Sequence, residues 1–97
     1  MPATVHVVAR YLAKPGKERE VEGILTALVA PSRREIGCYQ YDLLRNASDP
    51  RDFCFVERWG DDQAVDQHTA TAHVKNTIEQ VGGLVEVPPD IRRYSIL

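Results

Sequence analysis

Three features of this sequence point to an α+β fold of order β-α-β-β-α-β. Runs rich in β-branched and aromatic residues recur over 5–13, 38–45 and 53–59. Between the first two runs, apolar residues fall at helical spacing. Between the last two, NASDPRD is turn chemistry throughout, which makes those runs a hairpin.

Taken in order, VHVVARYLA (5–13) is the first strand, closed by Lys14-Pro15-Gly16. From Lys17 a helix is predicted, because Val21, Ile24, Leu25, Leu28 and Val29 share one face and Glu18, Glu20 and Glu22 sit where the helix dipole favours negative charge. Pro31 should kink or interrupt it, with SRREIG carrying it a further turn to Gly37 as an αL cap. CYQYDLLR (38–45) and FCFVERW (53–59) are the second and third strands. Asp61 or Asp62 caps a short helix through His68, and Thr69 or Thr71 caps another that carries Val74, Ile78 and Val81 and ends at Gly82-Gly83. After Pro88-Pro89 a last strand is expected over 91–96. The order is the split βαβ, or ferredoxin-like, plan with a four-stranded antiparallel sheet, and residues 1–97 form one domain.

Alternation sorts the strand faces. Val5, Val7, Ala9 and Tyr11, then Tyr39, Tyr41 and Leu43, then Phe53, Phe55, Glu57 and Trp59 are the bulkier sets and should face the helices. If Arg45 lies opposite Phe53, then Tyr41 lies opposite Glu57 and Tyr39 opposite Trp59. Glu57 is then an acid on an apolar surface, where burial raises its pKa unless a donor holds it ionised. The other face (His6, Val8, Arg10, Gln40, Asp42, Leu44, Cys54, Val56 and Arg58) is too apolar to be left in water. A chain of 97 residues also buries only about 60–65% of its unfolded surface. Both arguments predict a homodimer joined through that sheet face.

Composition excludes several functions. A net charge of −2 and scattered basic residues argue against nucleic acid, which needs a basic footprint. No apolar run approaches the ~18 residues of a membrane span, and no basic n-region precedes an apolar one, so a cytoplasmic location without membrane contact is expected. Cys38 and Cys54 form no CxxC pair and lie at different ends of the hairpin, so they read as free thiols. No G-x-G-x-x-G follows a strand, so a nucleotide cofactor is not expected.

The segments AKPGKEREVEGIL, PSRREIGCYQYDLLRNASDPRDFCFVERW and DQHTATAH resemble the antibiotic biosynthesis monooxygenase family, in particular its small members named for quinol oxidation. The most specific pieces are EIGCYQYDL, the E-x-W of Glu57 to Trp59 and the H-x-x-T-x-H of His68 to His73. The resemblance implies a ferredoxin-like dimer, the dimeric α/β barrel, with two sheets face to face. It also implies oxidation of quinols or polyketide aromatics by O2 without metal or flavin. Other branches degrade haem or isomerise a phosphorylated sugar. The haem-degrading branch has asparagine and tryptophan where Ala9 and His68 stand here, and the polyketide branch has a polar residue where Phe55 stands.

An oxygenase without cofactor needs a substrate that reduces O2 itself, an electron-rich phenol that the protein deprotonates and holds in an apolar pocket. His68 and Glu57 are the candidate catalytic residues, and Trp59, Tyr41, Tyr39, Tyr11, Phe55 and His73 the candidate substrate-binding ones. Each also has a purely structural reading: Trp59 as core, Glu57 as a buried acid paired with a donor such as Tyr41, His68 as a satisfied core histidine, and His73 as a hydrogen-bonding residue near a helix start. A metal at His68 and His73 is not expected, because the spacing is five, a helix break intervenes and no third ligand is evident. The alternatives are an isomerase of a hydroxyketone or phosphorylated metabolite, which would need Arg10 or Arg58 in the pocket, and a non-catalytic dimeric module that binds a small ligand.

Overall fold

A computed structural model describes residues 4–97. The elements are β1 (Val5–Leu12), α1 (Glu18–Arg33), β2 (Cys38–Arg45), β3 (Asp52–Trp59), α2 (Asp62–Thr69), α3 (Ala72–Val81) and β4 (Asp90–Tyr94). The strands form one antiparallel sheet of order β2-β3-β1-β4, the ferredoxin-like arrangement, and the helices cover one face. No helix among the described residues is long and apolar enough to cross a membrane.

Period-two alternation becomes burial along β3, where Phe53, Phe55, Glu57 and Trp59 are all buried beneath the helices. On β1, Val7, Ala9 and Tyr11 are buried beside them. From α1, Val21, Leu25 and Leu28 drive into this layer, and each such burial is worth about 2 kcal/mol.

Four local expectations change. Helix α1 runs through Pro31 without interruption: the proline removes one bond, to the carbonyl of Ala27, and that residue is exposed, so water can replace the donor. The helix then stops at Arg33, short of Gly37. On α3, Thr77 rather than Ile78 is buried beside Val81; its hydroxyl donates to the His73 carbonyl at 2.9 Å, while Ile78 turns outward. The last strand begins at Asp90 and ends at Tyr94, since it pairs only with the half of β1 from His6 to Arg10.

Gly37 has a positive φ of 86° and no room for a side chain, because a Cβ would lie 2.8 Å from that of Ala64 on α2. Its carbonyl accepts from the Gly60 amide at 2.9 Å. These two constraints press the 34–37 loop against the start of α2, and that loop carries Glu35.

Candidate active site

Between the sheet and the helices lies a small apolar cavity of about 30 Å³. Its floor is Val7, Ala9 and Tyr11 of β1, Tyr41 of β2 and Phe55 and Glu57 of β3. Leu28, Val65, His68, Thr69, Val74 and Ile91 close it. The rings are fixed by one another: Tyr11 meets Phe55 edge-on at 5.9 Å, and Tyr41 lies tilted over Phe55 at 4.8 Å. That volume holds roughly two waters, or one dioxygen, so a planar substrate must displace side chains at the rim. Ile91 and Thr69 are the exposed members of that rim.

Besides the hydroxyls of Tyr11, Tyr41 and Thr69, a carboxyl and an imidazole line this apolar space. Glu57 is buried and accepts a hydrogen bond from Trp59 Nε1 at 2.8 Å. Desolvation pushes its pKa up to about 7, although the indole N–H partly stabilises the carboxylate. Burial and the Glu57 charge together raise Tyr11 to about 12 and raise Tyr41 as well, so both phenols stay protonated.

His68 is the second group. Asp61 caps α2 by accepting from the Ala64 amide at 2.8 Å, and the helix then lays Ala64, Val65 and His68 on its buried face. The imidazole lies over Trp59 at 4.6 Å and meets Tyr41 edge-on at 5.3 Å. Its Nδ1 is 2.7 Å from Glu35 Oε2. A carboxylate can only accept, so Nδ1 carries the proton and Nε2 keeps a free lone pair. Burial lowers the pKa of His68, with Glu35 opposing the shift, which favours the neutral, basic form at neutral pH.

His73 Nε2 also lies 2.7 Å from that same oxygen of Glu35. The break between α2 and α3 makes this possible. The Thr71 hydroxyl donates to the His68 carbonyl at 2.7 Å and accepts from the Val74 amide, so the chain reverses locally and the two imidazoles sit 6.2 Å apart.

A profile of the antibiotic biosynthesis monooxygenase family matches residues 4–80. The chain belongs to the antibiotic biosynthesis monooxygenase family. It is 34% identical over 88 residues to the Mycobacterium tuberculosis protein named "Putative monooxygenase Rv0793", spanning 91% of this chain and 86% of that protein. It is 34% identical over 91 residues to the Bacillus subtilis protein named "Putative monooxygenase YcnE", spanning 93% and 96%. Among solved structures, PA3566 of Pseudomonas aeruginosa superimposes with a TM-score of 0.93 at 35% identity, covering all of this chain and 97% of that one. The Rv0793 structure gives 0.91 at 30% identity, covering 98% and 96%.

Within this family fold, the structure brings His68, Glu57, Tyr41, Tyr11 and Phe55 to one cavity. Three expected site residues lie elsewhere. Tyr39 is 58% exposed, because β2 shifts register between Cys38 and Gln40: Cys38, not Tyr39, faces Trp59. The extra residue sends the Tyr39 ring outward, where the Arg58 guanidinium stacks on it at 5.2 Å. Trp59 has no exposed surface and lies behind Glu57 and His68 rather than on the cavity wall. His73 does not line the cavity; it flanks Glu35 at the edge.

Glu35 is the residue that reading the sequence missed, and it is also the third potential ligand that the histidine pair lacked. Its signal was present but weak. It stands two residues before Gly37, whose neighbour across the hairpin is Gly60, at the root of the helix that carries His68. Arg10 is paired with Asp52 and Arg58 with Tyr39, both on the far face of the sheet.

Proposed function

We propose that this chain is a cofactor-independent monooxygenase that oxidises a small electron-rich aromatic of the quinol class with O2. One observation carries the reading: a cavity walled by aromatic rings holds an imidazole whose Nδ1 is engaged by Glu35, which leaves Nε2 as a base. Family membership supports the reaction type.

The chemistry balances without a further reductant. His68 takes the phenolic proton, the phenolate passes an electron to O2, and the resulting radicals combine to form a C–O bond. Loss of water from that peroxide leaves a carbonyl, so a hydroquinone and O2 give a hydroxyquinone and water. The apolar walls strengthen the electrostatics of charge forming in the cavity, and protonated Glu57 can donate to the developing peroxide. The test is oxygen uptake by metal-stripped protein over a panel of hydroquinones and anthrone-like phenols. Uptake with at least one member that is absent without protein supports the reading. No uptake with any member, alongside tight binding of one, favours the binding module.

The isomerase alternative loses its anchor, since no Arg or Lys lines the cavity to hold a phosphoryl group. We also propose that the active unit is a homodimer through the open sheet face. Leu44 is half exposed there beside half-buried Val8 and Val56, and a second copy would cover all three. Sedimentation at micromolar concentration should give about twice the chain mass, and a stable monomer would remove this arrangement.

A further inference from the structure

We propose that Glu35, His68 and His73 form a binding site for a divalent transition-metal ion of the zinc class, and that the ion switches off His68 as a base. Three elements supply the donors: the 34–37 loop, the last turn of α2 and the first turn of α3. The donor atoms are His68 Nδ1, His73 Nε2 and one carboxylate oxygen of Glu35, all within 4.8 Å of one another. Two imidazoles and a carboxylate suit zinc and its neighbours rather than calcium or magnesium, which prefer all-oxygen sites.

Both nitrogens approach the same oxygen at 2.7 Å, as hydrogen-bond partners do. Tetrahedral donors around zinc, at bonds of about 2.0–2.2 Å, sit about 3.4 Å apart. The cluster therefore needs to open by about 0.7 Å along the two edges that meet at Glu35, while the two nitrogens, which lie within 4.8 Å of each other, settle at about 3.4 Å. His73 is 29% exposed and Glu35 14%, so their side chains have that slack, and solvent has a route to the remaining coordination position. Gly37 and Thr71 already hold the loop and the helix break in place, so little backbone order has to be gained on binding.

The location decides the role. Of the three ligands only His68 lines the cavity, so an ion shared with Glu35 and His73 lies outside the cavity lining and touches the reaction only through the imidazole. Without metal, Nδ1 carries the proton and Nε2 is the base. With metal on Nδ1, a neutral imidazole must carry its proton on Nε2 and can no longer accept one. Metal binding thus exchanges the tautomer.

The binding half of the proposal stands apart from the oxygenase reading, while the inhibitory half rests on it. Calorimetric titration of metal-stripped protein with Zn2+, and the visible spectrum with Co2+, are the direct measurements. One ion per chain should bind. Glu35→Gln and His73→Ala should each weaken binding more than about 100-fold, beyond the 10–100-fold typical of residues that only support a ligand. His6→Ala, a histidine on β1 outside the cluster, should bind as wild type does. Absence of binding, or binding that survives in both cluster variants, overturns the site. Where oxygen uptake is present, Zn2+ at its binding concentration should abolish it in wild type. Uptake that is unaffected or increased overturns the off-switch, and loss of uptake activity alone leaves the calorimetric result standing.

Discussion

Trp59 donates its indole N–H to Glu57, two residues earlier on the same strand, and neither side chain reaches bulk solvent. The i, i+2 spacing puts both on one face of β3, so the acid and its donor come from a single pleat. The arrangement has a cost. One hydrogen bond does not repay desolvation of a carboxylate, and the proton stays on Glu57 up to about pH 7.

Stability should follow that proton. The folded protein retains it between the carboxylate's ordinary 4.5 and about 7, whereas the unfolded chain releases it. The contribution of Glu57 is therefore complete below about 4.5 and is lost as pH rises through about 7, at up to roughly 1.4 kcal/mol per pH unit and ~3 kcal/mol in all. Glu57→Gln keeps an acceptor for Trp59 without the ionisation. Urea unfolding at pH 5 and pH 8 should show the wild type losing stability relative to this variant, and parallel behaviour would mean that Glu57 titrates normally.

Trp59→Ala tests the placement of the indole. Because the ring is fully buried, the variant should lose about 3–5 kcal/mol of folding stability. A loss under ~1 kcal/mol together with weakened substrate binding would return Trp59 to the cavity wall.

Much of this was legible in the sequence. The element order, the odd-numbered buried faces of β1 and β3 and the Tyr41–Glu57 pairing follow from alternation, helical spacing and turn chemistry, while each helix cap was narrowed to two candidates, of which Asp61 and Thr71 serve. Tyr39 was not legible, because a one-residue irregularity at Cys38–Gln40 leaves the pattern of β2 unchanged while reversing a side chain. Glu35 was hidden for another reason. Its partners are 33 and 38 residues away, and only the close approach of Gly37 to Ala64 brings its loop to them.

That close approach can be tested by Gly37→Ala. The methyl group would meet Ala64 at 2.8 Å in a backbone conformation that costs a non-glycine residue about 1–3 kcal/mol. Thermal unfolding should register the loss, and the shifted loop should release His68 from Glu35, visible as altered imidazole resonances in NMR. Wild-type stability and resonances would show that the loop tolerates a side chain.

The pH profile identifies the base. If His68 Nε2 accepts the proton, kcat/KM should fall on the acid side with a midpoint below the usual 6.5 of histidine, since burial lowers it. His68→Ala should cost about 10²–10⁴-fold in turnover while the protein remains folded. A midpoint near 7 that disappears in Glu57→Gln would assign the base to Glu57 instead.

Oxygen-isotope labelling shows where each atom of O2 goes. Metal-stripped protein is supplied with isotopically labelled O2 and the most active hydroquinone of the panel, and the quinone product is weighed by mass spectrometry. Cofactor-independent monooxygenation in the aromatic cavity predicts one labelled oxygen atom in each product molecule, the other leaving as labelled water, with the rate collapsing in His68→Ala. Unlabelled quinone with hydrogen peroxide in equal amount, or turnover that persists in folded His68→Ala, would contradict it.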